Sequence, residues 1–165
     1  MPPHPQPNPF PQPLQRFVDL FNAEAFWESH EVLEGAWRAG RSSFYHGLIL
    51  YASAWVHHGR RNAHGVGAQL RKARVALDGY PPAYLGVDVR EVLERCVEGE
   101  RRVAGGVEPV RWKGWLPPTL VLNPRLLRGD EVELGEAEPD RPGPGGLGPG
   151  DPGPHDTEVD EGESA

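Results

Sequence analysis

The sequence predicts an all-α protein: a compact bundle of about five helices with an extended C-terminal arm, set between Pro/Gly-rich termini that read as disordered. Three observations carry this. From Leu14 to Ala104 the apolar residues recur every three or four positions, with no strand alternation. Gly, Ser, Asn and Pro interrupt that run at points where helices stop or start. Neither end of the chain shares the pattern, so the reading divides the chain into 1–13, 14–128 and 129–165.

The first segment, MPPHPQPNPFPQP, has proline at every second position from Pro3 to Pro13. Proline lacks the amide donor and holds φ near −65°, so this stretch should be extended and solvated. Leu14, Phe17, Val18, Leu20 and Phe21 mark a short first helix, which Asn22 is expected to end while capping the next. The second helix runs from about Ala23 to Ala39 and stops at Gly40. In the third, SSFYHGLILYASAWVHHGRR, Ser42 or Ser43 supplies the N-cap and Phe44, Leu48, Tyr51, Ala52 and Trp55 form the buried stripe. It is the most apolar helix, so it should be central. The fourth covers about Ala63 to Leu77, with Leu70, Ala73 and Leu77 facing in and Arg71, Lys72 and Arg74 facing out. A Pro/Gly turn, DGYPPAYLGVD, leads to the fifth, about Val89 to Ala104. VRWKGWLPPTLVLNP then reads as an arm lying across the bundle, anchored by Trp112 and Trp115. From Gly129 onward the chain is acidic and then RPGPGGLGPGDPGPHD, with little to bury against the entropy of ordering.

With 21 glycines and 19 prolines among 165 residues, there is room for one compact domain. Charge follows the same division. Leu14 to Arg128 carries 16 Lys and Arg against 12 Asp and Glu, whereas Gly129 to Ala165 carries one Arg against 12 acids. The acidic tail is either solubilising or a mask for a basic surface. Cys96 is the single cysteine and sits in the helical stripe Val89, Val92, Leu93, Cys96, Val97, so it reads as a core residue. No secretory leader and no membrane-length apolar run is present, so the expected compartment is the cytoplasm, without membrane contact.

The stretch FWESHEVLEGAW, Phe26 to Trp37, is where chemistry concentrates. Phe26, His30, Leu33 and Trp37 are spaced as one helical stripe, and Glu34 lies one turn beyond His30. His30 therefore points to the core and needs a bonding partner. Glu34 is nearest, Glu31 stands at the edge of the stripe, and Glu28 faces solvent. On the third helix His46, Leu50, Ser53 and His57 form a second line, three turns long, so His46 and His57 cannot share one small site. His46 and His58 read as surface or subunit-contact residues.

FNAEAFWESHEVLEGAW, then FYHGLILYASAWVHHGRRNAHGVGAQLRKA, then YPPAYLGVD together resemble the domain of unknown function 309 family, over about Phe17 to Leu120. Its most specific piece falls on His30, Glu34 and Trp37. The resemblance implies a small helical fold, a motif suggested to bind metal, and no established activity. It places the family's late histidine of the third helix and the asparagine after it on His57 and Asn62; His46 and Leu50 stand where glutamine is usual. On this basis His30, Glu34 and His57 are the candidate ligands of a divalent metal ion. Glu31 is a further ligand or base, and Phe26, Trp27, Trp37 and Asn62 line the site.

A histidine and a glutamate at i and i+4 can reach one ion, and a third ligand from the next helix would leave a position for water. HEVLE lacks the second histidine of the zinc-protease pattern, and no paired Glu-x-x-His motifs suggest a di-iron bundle. Two metal-free readings stand beside this one: a functional polar pocket, and a structural His–Glu–Trp cluster. A non-enzymatic homo-oligomer or scaffold, with Trp55, Trp112 and Trp115 at an interface, is the main rival to an enzyme. Nucleic-acid binding through Arg60, Arg61, Arg71, Lys72 and Arg74 is disfavoured, because no recognition motif accompanies them and the acidic tail would compete. The absence of a phosphate-cradling loop or a nucleophile motif disfavours nucleotide and acyl-transfer chemistry.

Overall fold

The structure, a computed structural model, describes residues 2–105 and 111–136. The expectation of disorder over the rest of the acidic tail lies outside the described residues. Five helices follow one another: α1 (Gln12–Asn22), α2 (Phe26–Gly40), α3 (Ser43–Gly59), α4 (Ala63–Leu77) and α5 (Val89–Val103). Between α4 and α5 stands a two-stranded antiparallel hairpin, β1 (Ala83–Tyr84) with β2 (Val87–Asp88), in the register Ala83–Asp88 and Tyr84–Val87. Two single-turn 3-10 helices, η1 (Pro124–Leu126) and η2 (Val132–Gly135), complete the order.

The third helix is central, packing on α2 and on α4, while α4 also holds α5 and α2 holds α1. Its expected stripe, Phe44, Leu48, Tyr51, Ala52 and Trp55, is buried, and Ser42 caps it by accepting the Tyr45 N–H at 3.1 Å. The fourth helix has the expected limits, with Asn62 as its cap (Gly65 N–H to Oδ1, 3.0 Å). Asp88 caps α5 in the same way through the Glu91 N–H. The hairpin turn needs left-handed backbone at both central residues, Leu85 (φ 50°) and Gly86 (φ 79°). Glycine takes the second place at no steric cost, and burial of the Leu85 side chain offsets the strain at the first.

Several expectations are corrected. Helix α1 begins at Gln12, because proline is tolerated in a first turn. Helix α2 begins at Phe26 instead of Ala23, after Glu24 takes a left-handed conformation (φ 60°). Asn22 does not cap α2. Its amide spans the arm instead, donating to the Leu120 carbonyl at 2.7 Å and accepting the Leu120 N–H at 2.8 Å. Arg74 does not simply face out: it makes a two-pronged bond with Glu100 of α5 at 2.7 and 2.9 Å. Packing also continues past both expected domain limits. Phe10 is buried against Gly86, and Glu131 and Glu133 are buried beyond Arg128.

Candidate functional site

Helix α2 lifts His30, Glu34 and Arg38 one turn apart up a single face. His30 is 1% exposed and Glu34 7%, with Nδ1 of the imidazole 3.9 Å from one carboxylate oxygen. The other oxygen accepts Arg38 Nη2 at 3.1 Å. At 3.9 Å the first contact is an electrostatic neighbour, not a hydrogen bond, whereas the Arg38 bond at 3.1 Å helps orient the carboxylate. Trp27, 45% exposed, lies flat over the His30 ring at 5.3 Å between centroids. Glu31 and Glu28 are exposed.

Trp37 takes a different partner from the one its stripe suggested. Its indole stacks on His46 of α3 at 4.7 Å, and the Arg41 guanidinium lies 4.7 Å from the centre of the same ring. Burial, and then the charge of Lys72, lower the His46 pKa, which favours a neutral imidazole against the indole. The Trp37–His46 pair also sets the register of the α2–α3 hairpin, whose two-residue connection makes the helices antiparallel.

The His57 side chain turns to the α3–α4 corner. Asn62 spends its carbonyl oxygen on the Gly65 N–H, so its amide nitrogen faces His57 Nδ1 at 3.2 Å. An amide nitrogen only donates; His57 Nδ1 therefore accepts, and the proton of the neutral ring sits on Nε2. Burial, followed by the charge of Arg60, lowers the pKa of this histidine. A Cβ at Gly65 would stand 2.6 Å from the imidazole Cγ, so the first turn of α4 can approach the ring only with glycine there. Phe26 belongs to the aromatic core, edge-on to Phe21 at 5.0 Å. The residues proposed as one site thus fall into a His30–Glu34–Arg38–Trp27 face, a Trp37–His46–Arg41 stack and a His57–Asn62 corner. Among the described residues, no group of three or more His, Cys, Asp or Glu stands together to hold a metal ion.

Two clusters escaped the reading of the sequence. His58 is buried, not a surface or subunit-contact residue. Its ring stands edge-on to Trp55, Trp112 and Trp115 at 5.3, 5.5 and 4.8 Å. Arg61 lies over Trp112 and Arg102 over Trp115. Burial lowers the His58 pKa, the Trp115 backbone works upward, and Arg61 and Arg102 lower it further. Trp55 and Trp115 are buried within this chain, so they do not supply the oligomer surface expected of them. The second cluster is a pair of carboxylates. Glu131 accepts the N–H groups of Leu85 (2.9 Å), Arg128 (3.2 Å) and Gly129 (2.7 Å), while Glu133 accepts the hydroxyls of Ser42 and Tyr84, both at 2.6 Å. No periodicity could have found them, because here the glutamates go in and the valine between them stays out.

These observations define an all-helical protein organised around α3. Residues 14–68 match the family described as Domain of unknown function (DUF309), a span that runs from within α1 into α4. That span includes His30, Glu34, Trp37, His57 and Asn62, and excludes the Trp112–Trp115 arm and the two buried carboxylates. No curated protein and no solved structure matches the chain. Among the described residues no helix is long and apolar enough to cross a membrane.

Proposed function

We propose that this protein is a non-catalytic helical module that works by binding a partner, and that the His30–Glu34–Trp cluster is part of its structure. The observation that carries the reading is how the candidate chemical groups are bonded. Glu34 is oriented by Arg38 at 3.1 Å, and His57 accepts from the Asn62 amide at the cap of α4. His57 must give up its bond from Asn62 before Nδ1 can act, and the Arg38 bond ties one Glu34 oxygen into the fold. A second reading keeps a divalent ion at His30 and Glu34, supported by their 3.9 Å approach. It has Glu31 at the exposed rim as a further ligand or base, and His57 drawn off Asn62.

One experiment separates the two. Thermal unfolding is followed with and without a strong chelator for the parent and for His30→Ala and Glu34→Ala, all prepared without a histidine tag. The structural reading expects no response of the parent to chelator and a loss of about 1–3 kcal/mol in each variant, from buried polar groups left behind. A parent that loses stability on chelation, regains it with added ion and loses that sensitivity with either substitution would establish the metal reading instead.

A further inference from the structure

A cavity of about 560 Å³ lies among the proline-rich segment that enters α1, the last turns of α2, and η2. Sites for small molecules usually measure roughly 300–1,000 Å³. The sequence keeps this one open: Ala36, Ala39 and Gly40, at i, i+3 and i+4 of α2, bring almost no side chain to it. Phe10, Pro11 and Pro13 add an apolar wall. The polar groups that line it are Asn8, Tyr45, Glu133 and Glu136. Asn8 is used within its own segment, donating to Gln15 and accepting the Phe10 N–H.

Glu133 and Tyr45 remain open to a ligand. The Glu133 carboxylate is buried and accepts only neutral hydroxyls, Tyr84 on Oε1 and Ser42 on Oε2. A carboxylate oxygen has two lone pairs, so each keeps one for a further donor. Among the described residues no lysine, arginine or histidine lines the cavity. Burying a carboxylate without a cation beside it is costly, and a cation in the cavity would offset that cost. Tyr45 is 1% exposed, yet among the described residues its hydroxyl makes no hydrogen bond. Its oxygen is not sealed in the core, so it opens on the cavity that the residue lines. Burial, then the charges of Glu133 and Glu136, raise the Tyr45 pKa, so the phenol stays neutral and its oxygen can accept.

We propose that this cavity binds a small protonated amine with an alkyl or aryl body, its ammonium donating to Glu133 and to the Tyr45 oxygen. The body lies against Phe10, the prolines and the two alanines of α2, and the exposed Glu136 adds a second negative charge. The Tyr45 oxygen calls for an N–H donor, which a quaternary ammonium lacks. An uncharged alcohol of the same body would leave the Glu133 carboxylate without a counter-charge. The site shares no residue with the His30–Glu34 cluster, and it adds a ligand to the partner-binding reading without depending on it.

The test titrates phenethylamine into the isotope-labelled full-length chain, followed by calorimetry and by amide resonances. Saturable binding is expected with a Kd of about 1 mM or tighter, and the Ala36, Ala39 and Gly40 amides should move with it. Phenethyl alcohol and the N-trimethylated amine should bind at least about tenfold more weakly. Tyr45→Phe removes a hydroxyl that holds nothing else in the chain, and should weaken binding at least about threefold. Ala39→Leu, at an exposed position of α2, narrows the cavity and should weaken it at least about tenfold. Glu133→Gln should do the same by removing the charge; if that variant fails to fold, Tyr45→Phe and Ala39→Leu decide, since neither breaks a hydrogen bond within the chain. Absence of saturable binding overturns the proposal, as does equal binding of the alcohol. Movement confined to resonances away from the cavity, or an affinity unchanged in both Tyr45→Phe and Ala39→Leu, overturns it as well. None of these outcomes touches the chelator experiment on His30 and Glu34, so the two proposals fail separately.

Discussion

Asn22 does more for the fold than a helix-ending residue ordinarily does, because both ends of its amide are used on one distant residue. Donating to the Leu120 carbonyl and accepting the Leu120 N–H, it fixes the arm to the α1–α2 corner across nearly a hundred positions of chain. Asn22→Ala removes both bonds and leaves the backbone of a buried residue without partners, so unfolding by denaturant should show a loss of about 1–3 kcal/mol at unchanged slope. If the midpoint stays that of the parent, the amide carries no weight. Cys96 is the contrasting case. It is fully buried on α5, as its place in the apolar stripe implied, and burial pushes its thiol up to about 12, so it is a packing residue and not a nucleophile.

At the scale of the helices, the approach of α3 to α4 depends on Gly47 as well as on Gly65. A Cβ at Gly47 would stand 2.6 Å from Cγ and 2.7 Å from Cδ2 of Leu77, and 3.4 Å from the Ala76 Cβ. Leu77 is fully buried and cannot swing into solvent to make room. Alanine would bring about 1 kcal/mol of helix propensity to α3, but overpacking of this kind costs about 1–3 kcal/mol, so Gly47→Ala should be net destabilising. Equilibrium unfolding checks the sign, and a stabilised variant would mean that the α3–α4 contact yields easily. Helix periods were readable in advance: α4 has the expected limits, and the others differ by a few residues, chiefly at the N-termini of α1 and α2. Those starts depend on the backbone of Pro11 to Pro13 and of Glu24, which the apolar period does not report.

For the whole molecule, protonation links stability to pH through groups in separate elements. His46, His57 and His58 all have pKa values lowered from 6.5, burial being the first cause in each. The unfolded chain therefore takes up protons that the folded one refuses as pH falls below about 6.5, and stability falls with it. Each group contributes at most about 1.4 kcal/mol per pH unit, less for the half-exposed His46 and His57. Protonating His57 on Nδ1 also ends its bond from Asn62. For Glu131, burial works upward but the hydrogen bonds from backbone N–H groups prevail, holding its pKa below 4.5. Its contribution is present above 4.5 and is lost as pH falls through the lower folded value. Glu136, raised from 4.5 by burial and then by the charge of Glu133, acts in the opposite sense. The thermal midpoint should thus be level above about pH 7, decline from about 6.5 downward, and decline again below 4.5. His58→Phe should reduce the first decline, and an unchanged slope in that variant would remove His58 from the account.

The sequence alone determined the all-helical class, the order of the five helices, the central place of α3 and the burial of His30 beside Glu34. These follow from local periodicity, which places residues on a face without reference to anything distant. The tertiary structure alone decided which polar groups meet. His57 was grouped with His30 by resemblance, but its side chain turns toward Asn62 at the neighbouring corner; Trp37 reaches past its own stripe to His46; Asn22 is used by the arm and not by the next helix. The Glu131–Glu133 pair is the clearest instance. An acidic stretch among glycines and prolines looks solvated when its neighbours in the chain are all that can be consulted, and its burial depends on Ser42, Tyr84 and Leu85, donors some 46 to 91 residues away. Hydrogen bonds are short-range in space and indifferent to separation in sequence, so a buried carboxylate becomes legible only once the fold has brought its donors to it.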